Sequence, residues 1–379
     1  MILRAELVDN PAAVERLGEC WDSLVAANSA LPGGHDATSG PLWFDAVSAA
    51  FEIERNAKVV VVRDGDTVVA ILPVACEPTP SFCRRVFVPT VLYGGRNGFL
   101  LSQPSVEMLG ALLGGVRKAF GRWQSMRMIL VEASDSEQLL KQVCEREGYR
   151  SISDSEGQSP YFPLLSDATT FSAKMSKGLK QTLRTSANKF RALGELEFRE
   201  LFDESDAEAA FASILAIDRG SWKHDAGTAI TCHAEQERFY RALFPRALRA
   251  GLLYGQILLL NGKPIAFNFG LVHAGIFYCL KHSQTVEFQG HSPGQLLNAN
   301  MITQLRTKGV TMYDFMGKPE PHKLRWSDAT DLYGRRQFWI YSPTLCGWLG
   351  WTWHSVKRLA RGVLRGRKTA AAQEAPTGE

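Results

Sequence analysis

No CxxC pair occurs, and the seven cysteines stand singly, at positions 20, 76, 83, 144, 232, 279 and 346. An odd, scattered set argues against a disulfide framework or a zinc site and fits a reducing cytosol. Charge of one sign is also scarce. Lys and Arg total 43 against 39 Asp and Glu, and a net +4 is too small to argue for a nucleic-acid partner. The start, MILRAELVDNPAAVERL, lacks a basic segment followed by an apolar run, so no signal peptide is expected. The one long uncharged stretch, 338–356, contains Tyr341, Ser342, Pro343, Thr344, Gly347, Gly350, Thr352, His354 and Ser355. It reads as a strand end, a proline turn and a helix rather than a membrane span. What remains is ordinary globular composition. With 45% apolar and 22% charged residues over 379 positions, a disordered or fibrous chain is excluded and about two domains are expected.

Residues 12–28 carry helical spacing at Val14, Leu17, Cys20, Trp21 and Leu24, and 42–51 reads as a short helix after a Gly/Pro-rich loop. KVVVVRDGDTVVAILPV, 58–74, is two β-branched runs about Asp64-Gly65, a hairpin signal. A loop with a short central strand follows over 77–98, then helix 106–120, strand 125–132, helix 137–147 and a strand-bearing connection 149–163. The second half repeats the plan: helix 239–250, a hairpin within 252–270 about Asn261-Gly262, strand 276–282, helix 294–308 and strand 312–316. Duplication of one α/β unit is the economical explanation. Between the halves, 171–193 holds Lys174, Lys177, Lys180, Arg184, Lys189 and Arg191 and no acid. Ser172 could cap this helix, and Phe171, Met175, Leu179, Leu183, Phe190 and Leu193 give it one buried stripe. Its basic side reads either as a solvated face or as a face turned to a polyanionic donor.

Three segments could carry chemistry. In HSQTVEFQGHSPGQL, 282–296, a strand runs into a loop of Gly290, Ser292, Pro293 and Gly294, and then a helix from Gln295. Backbone N–H groups at such a helix start can hold a pyrophosphate. In YDFMGKPEPHKLRW, 313–326, Asp314 shares a strand face with Met312 and Met316, opposite Tyr313 and Phe315. A carboxylate so placed is either hydrogen-bonded in the core or set for chemistry. Lys318, His322, Lys323 and Arg325 follow. In DRGSWKHDAGTAI, 218–230, Trp222 either walls a pocket or packs.

The pieces SKGLKQTLRTSANKFRALGELEF, DRGSWKHDAGTAI, GKPIAFNFGL, HSPGQLL and YDFMGKPEPHKLRW, in that order, resemble the CelD/BioF-type acetyltransferase domain of the GNAT superfamily. That group is similar to the Fem peptidoglycan-bridge aminoacyltransferases, built from two tandem GNAT-like units. The resemblance covers about 165–335 and implies an α/β fold of two tandem GNAT-like domains, each a mixed twisted sheet flanked by helices. The expected division is 1–165, a basic bridging helix 166–195, a catalytic domain 196–340, an amphipathic basic helix 341–368 and a disordered tail 369–379. It also implies an acyl-CoA-dependent N-acyltransferase without a metal. Donor contacts fall on Phe267, Asn268 and Phe269, on a splayed strand running to Gly270 whose backbone N–H groups are expected to polarise the thioester oxygen, and on Gly290, Ser292, Pro293, Gly294 and Gln295. The family's first loop glycine is replaced here by Ser292. An alkyl ammonium at pH 7 pays ~4–5 kcal/mol to become a neutral nucleophile, so a base is needed. His282 is the first candidate, Asp314 the second and His322 the third. Trp222, Lys281, Lys323 and Trp326 are expected to bind substrate.

The acceptor is approached through 345–368. Trp348, Leu349, Trp351, Trp353, Val356, Leu359, Ala360, Val363 and Leu364 make a broad apolar side, and Lys357, Arg358, Arg361, Arg365, Arg367 and Lys368 supply charge. The segment reads either as an interfacial helix on an anionic membrane, peripheral to the cytoplasmic face, or as a helix docked on its own domain. On the first reading a lipid amine is the favoured acceptor. Some relatives with this domain are bacterial ceramide synthases, which points to a sphingoid base. An amino sugar or exopolysaccharide acceptor, a Fem-like aminoacyl-tRNA donor, and a non-catalytic membrane-surface scaffold remain the alternatives.

Overall fold

A computed structural model describes residues 2–9, 11–27, 37–51, 57–78, 83–89, 96, 98–121, 123–164, 175–201, 206–326 and 331–373. The strands are β1 (Leu3–Val8), β2 (Lys58–Asp64), β3 (Thr67–Pro78), β4 (Arg84–Phe87), β5 (Leu100–Leu101), β6 (Trp123–Val131), β7 (Arg150–Pro163), β8 (Leu196–Glu200), β9 (Leu253–Leu260), β10 (Lys263–His273), β11 (Ile276–Gln284), β12 (Met312–Asp314) and β13 (Leu332–Tyr341). They form one mixed sheet in the order β1-β2-β3-β4-β6-β13-β7-β12-β11-β10-β9-β8, with β5 beside β3.

The duplication is explicit in the ladders. Each half places an antiparallel hairpin (β2/β3 and β9/β10), a third strand, a helix, and a fourth strand parallel to the third (β4 with β6, β11 with β12). Parallel neighbours require a crossover of this length, which the helices Val106–Phe120 and Pro293–Thr307 supply. The halves are nonetheless not separable at the expected boundaries. β13 returns from the second half to lie between β6 and β7, antiparallel to both, and β7 continues on to β12. Helix Pro41–Phe51 puts Trp43, Ala46, Val47 and Ala50 into the core of the second half, where Trp43 meets Phe239 edge-on at 4.8 Å.

Other expectations shift locally. The 12–28 helix is two, Pro11–Glu15 and Gly18–Ala27. The basic helix is Lys177–Leu193, capped by Ser176, whose hydroxyl accepts the Leu179 N–H; Phe171, Ser172 and Lys174 lie outside the described residues. Leu179 and Phe190 are buried, but Leu193 is exposed. The last helix, Leu345–Gln373, runs past 368 into the segment expected to be disordered; residues 374–379 lie outside the described residues. One disulfide, Cys83–Cys346, is also present, against the expectation of none. Its partners are 263 residues apart, so no local spacing signalled it. Among the described residues, no His/Cys/Asp/Glu group could hold a metal and no helix is long and apolar enough to cross a membrane.

Candidate active site

β11 and β12 pair over only three residues, Ile276↔Met312, Phe277↔Tyr313 and Tyr278↔Asp314. Beyond Tyr278 they part. β11 bends at a bulge in which Leu280 is the extra residue, since Phe269 faces Lys281 while Gly270 faces Cys279. A side chain at Gly270 would collide with the Tyr278 carbonyl, which explains glycine there. β12 ends because Met316 (φ 49) and Gly317 (φ 60) turn the chain away. Asp314 holds that turn. Its carboxylate accepts the Met316 N–H (2.7 Å), the Arg96 guanidinium (2.9 Å) and the Tyr333 hydroxyl (3.0 and 3.2 Å).

The gap is a cleft of about 650 Å³. One wall is β11 from Cys279 to Gln284, and the other is Phe315–Gly317 with Glu320–Lys323 and Arg325. The helix start at Ser292, Gly294 and Gln295 closes one end, and Trp222, Lys223, Thr228 and Tyr240 close another.

At that helix start Ser292 takes the left-handed conformation (φ 55, ψ 47) that glycine adopts freely, which accounts for the family glycine expected there. The Ser292 side chain does not cap the helix, and the first turn carries no acid. The Gly294 N–H is held by the Gln284 side-chain carbonyl at 2.8 Å, a contact that an anionic oxygen could replace. A donor phosphate therefore fits this end.

Within the cleft the two rings of His282 and His322 face each other Nε2 to Nε2 at 3.3 Å. Burial, reinforced by the Lys223, His322 and Lys323 charges, holds His282 well below the usual histidine range. Burial brings His322 down to about 4, against the opposing pull of Glu320. Both imidazoles are neutral at pH 7, so one can donate and the other accept. Lys223 donates to the His282 carbonyl, and burial plus the nearby Lys281 ammonium draw it down to about 8.

Of the expected site residues, His282, His322, Lys281, Lys323, Trp222, Ser292, Gly294 and Gln295 line the cleft. The others are elsewhere. Phe267, Asn268 and Phe269 lie on β10, an interior strand paired to β9 and β11, so the strand that edges the gap is β11. Phe267 and Phe269 are core residues, and Asn268 donates to Asn298 (2.6 Å) and is linked to the Tyr313 hydroxyl (2.7 Å). The Gly290 carbonyl is taken by Lys189, and Pro293 is buried. Trp326 is buried against Phe162 and donates to the Gln295 side chain, steadying that residue from behind. Asp314 is in the core, not on the cleft wall. No residue of the basic helix lines the cleft; it packs behind the loop, with Ser186 donating to the His291 carbonyl at 2.6 Å. Sequence reasoning passed over Lys223 and Gln284. Lys223 was visible only as a neighbour of Trp222, and Gln284 only as one residue of the segment that leaves the 276–282 strand.

Residues 177–324 match the family model described as Acetyltransferase (GNAT) domain. No curated protein matches the chain. Among solved structures it is similar to FemX, at 13% identity and a TM-score of 0.59, over 84% of this chain and 95% of that one. It is also similar to a Bacteroides thetaiotaomicron protein of unknown function (14%, TM-score 0.53, 89% and 100%). A third is a domain described as the C-terminal part of a lysylphosphatidylglycerol synthetase from Agrobacterium fabrum (12%, TM-score 0.51, 88% and 94%). Identities this low establish the shared fold alone. Apart from Arg325 the cleft lining falls inside the matched segment, which contains the second copy of the repeated strand–helix–strand plan, so residues 177–324 are similar to a GNAT acetyltransferase domain.

Proposed function

We propose that the protein is an N-acyltransferase that moves an acyl group from acyl-CoA to a primary amine held at a membrane surface. The observation that carries the reading is the parting of β11 from β12, which opens a cleft with an acid-free helix start at one end and a neutral histidine pair on its wall. The donor enters as substrate, its phosphates at Ser292–Gln295 and its thioester along the free edge of β11. The amine nitrogen attacks the thioester carbon. The N–C bond forms, the C–S bond breaks, His282 takes the proton from nitrogen, and the departing sulfur receives it, leaving an amide and CoA thiol. Asp314, locked by Arg96 and Tyr333, is a positioning residue for the turn that forms the far wall.

The membrane part of the reading is supported by the last helix. Its inner side is docked: Trp351 lies 4.6 Å from the Arg150 guanidinium, His354 bonds the Tyr341 hydroxyl, and Arg358 pairs with Asp154 at 3.3 Å. Leu345, Trp348, Leu349, Trp353, Val356 and Leu359 lie along the other side and are exposed, Leu359 to 71% and Trp353 to 61%. An apolar row in which the Lys357 ammonium lies 4.6 Å from the Trp353 ring matches the chemistry of an anionic bilayer surface. A lipid amine, whether a sphingoid base or another amine anchored by acyl chains, fits this placement.

A thermal-shift panel of acyl-CoAs from short to long chain tests the donor: one that binds raises Tm by mass action, and a flat panel overturns the reading. RNase should leave turnover unchanged. Replacing Leu349 and Trp353 by Glu should reduce sedimentation with anionic vesicles; equal sedimentation removes the membrane element.

A further inference from the structure

Three lysine ammonium groups reach the same cleft from separate elements. Lys223 comes from the short helix Trp222–Asp225, Lys281 from β11 and Lys323 from the turn after β12. Each donates to backbone carbonyls: Lys223 to His282, Lys281 to Thr228 at 3.0 Å, and Lys323 to Met316 at 3.1 Å and Lys318 at 3.3 Å. Carbonyls orient an ammonium without neutralising it. The carboxylates facing the group are two. Glu320 pairs with Lys323 at 3.3 Å from a half-exposed position. Asp218 lies beneath Lys223 and Lys281, but its Oδ2 accepts the Ile230 N–H at 2.5 Å, and no described ion pair joins it to either lysine. Arg325 adds a further cation to the lining. Charge of one sign in this excess, half-buried at Lys223 and Lys281 and buried at Lys323, is unfavourable until a counter-charge arrives. The lysines also surround His282, where the proton moves, rather than standing only at the helix start.

We propose that the acceptor carries a phosphate or carboxylate within a few bonds of its amine, and that Lys223, Lys281 and Lys323 seat this anion beside the histidine pair. The inference rests on the N-acyltransferase reading and narrows its acceptor from any membrane amine to a zwitterionic one. A bare long-chain amine brings only positive charge to a positive wall. A zwitterion is drawn in by its anion, and the same wall then favours loss of the ammonium proton, which nucleophilic attack requires.

The test uses the full chain saturated with CoA, titrated calorimetrically with O-phosphoethanolamine, ethanolamine and inorganic phosphate. The two phosphates are expected to bind at least ~10-fold tighter than ethanolamine. Lys281→Met should weaken them ~10-fold, Lys281→Arg should restore them, and both should leave the CoA Kd within about 2-fold. Vesicles containing phosphatidylethanolamine locate the source. Retention that depends on Lys281 assigns the anion to a lipid headgroup, and binding of the small phosphate alone assigns it to a soluble acceptor; both support the inference. Displacement of phosphate by CoA would give the lysines to the donor and overturn it. So would equal binding of ethanolamine, or indifference to Lys281→Met. If CoA itself fails to bind, the acyl-CoA reading falls, and phosphate titration of the free protein still decides whether the anion seat exists.

Discussion

The two halves follow one plan, yet among the described residues a cleft at the parallel strand pair is found in the second alone. In the first, β4 stays with β6 from Arg84↔Trp123 to Phe87↔Arg127, and the Val88 N–H still reaches the Arg127 carbonyl at 3.2 Å. In the second, the matching pair separates after three residues. The helix starts differ in the same sense. Helix Val106–Phe120 is capped by Ser105, which accepts the Met108 N–H, and carries Glu107 in its first turn. The groove there, also about 650 Å³, is lined by Glu107 and Asp135. Its counterpart at Ser292 has no acid in the first turn, is held only by the neutral Gln284 side chain at Gly294, and opens on Lys223, Lys281 and Lys323. Opposite charge at the two helix starts accords with a duplicated topology that supplies a scaffold, on which strand divergence and local electrostatics distinguish the second half.

The largest effect should come from the residue with no equivalent in the first half. His282→Ala is expected to lower kcat by ~10²–10⁴-fold with little change in CoA affinity. Unchanged turnover would take His282 out of the proton path. Next is the pair that joins the halves: Arg96 and Asp314 are both buried, 2.9 Å apart. Removing one partner of such a pair costs about 3–5 kcal/mol, so Arg96→Met should lower the denaturation midpoint strongly. An unaffected midpoint would mean that Tyr333 and the Met316 N–H alone sustain Asp314. Smaller again is a transplant of the first half's acid. Gly294→Glu places a carboxylate in the first turn of the donor helix and should weaken CoA ~10-fold, whereas Glu107→Gln should create no CoA site in the first half. CoA binding that ignores Gly294→Glu would move the phosphates away from this helix.

Much of this contrast could be read from the chain. The hairpins follow from β-branched runs around Asp64-Gly65 and Leu- and Phe-rich apolar runs around Asn261-Gly262, and the opposite facing of Asp314 and Tyr313 follows from strand alternation. The loop-to-helix start and the histidines were found because their residue types signal chemistry wherever they occur. What escaped was long-range. That β13 would lie between β6 and β7, or that Arg96 would meet Asp314 across 218 positions, depends on sheet order, which local spacing does not encode. The splayed strand, expected at 267–270, is β11 instead, for the same reason. Apolar residues at 267–269 and 276–280 look alike until the ladder shows which strand loses its neighbour.

The smallest predicted effect separates the halves by acid. His322 is held at about 4 and His282 well below the ordinary value, so neither takes a proton in the fold when the pH first drops below 6.5, whereas the unfolded chain does. Protons then favour unfolding, and stability contributed above pH 6.5 is lost as the pH falls toward 4. In the first half the only histidine is His35, and burial raises Asp22 and Asp45. Those carboxyls bind protons more readily folded than unfolded, so acid favours the fold there. Between pH 7.5 and 5, hydrogen exchange corrected for its intrinsic pH dependence should accelerate on β11 and in helix Pro293–Thr307, while β2 and β3 stay protected. His322→Gln should flatten the acid response of the second half alone, because a side chain that cannot titrate removes one of the two uncharged histidines from the balance. Uniform acceleration across both halves, unchanged by His322→Gln, would show that the acid response does not originate in the cleft.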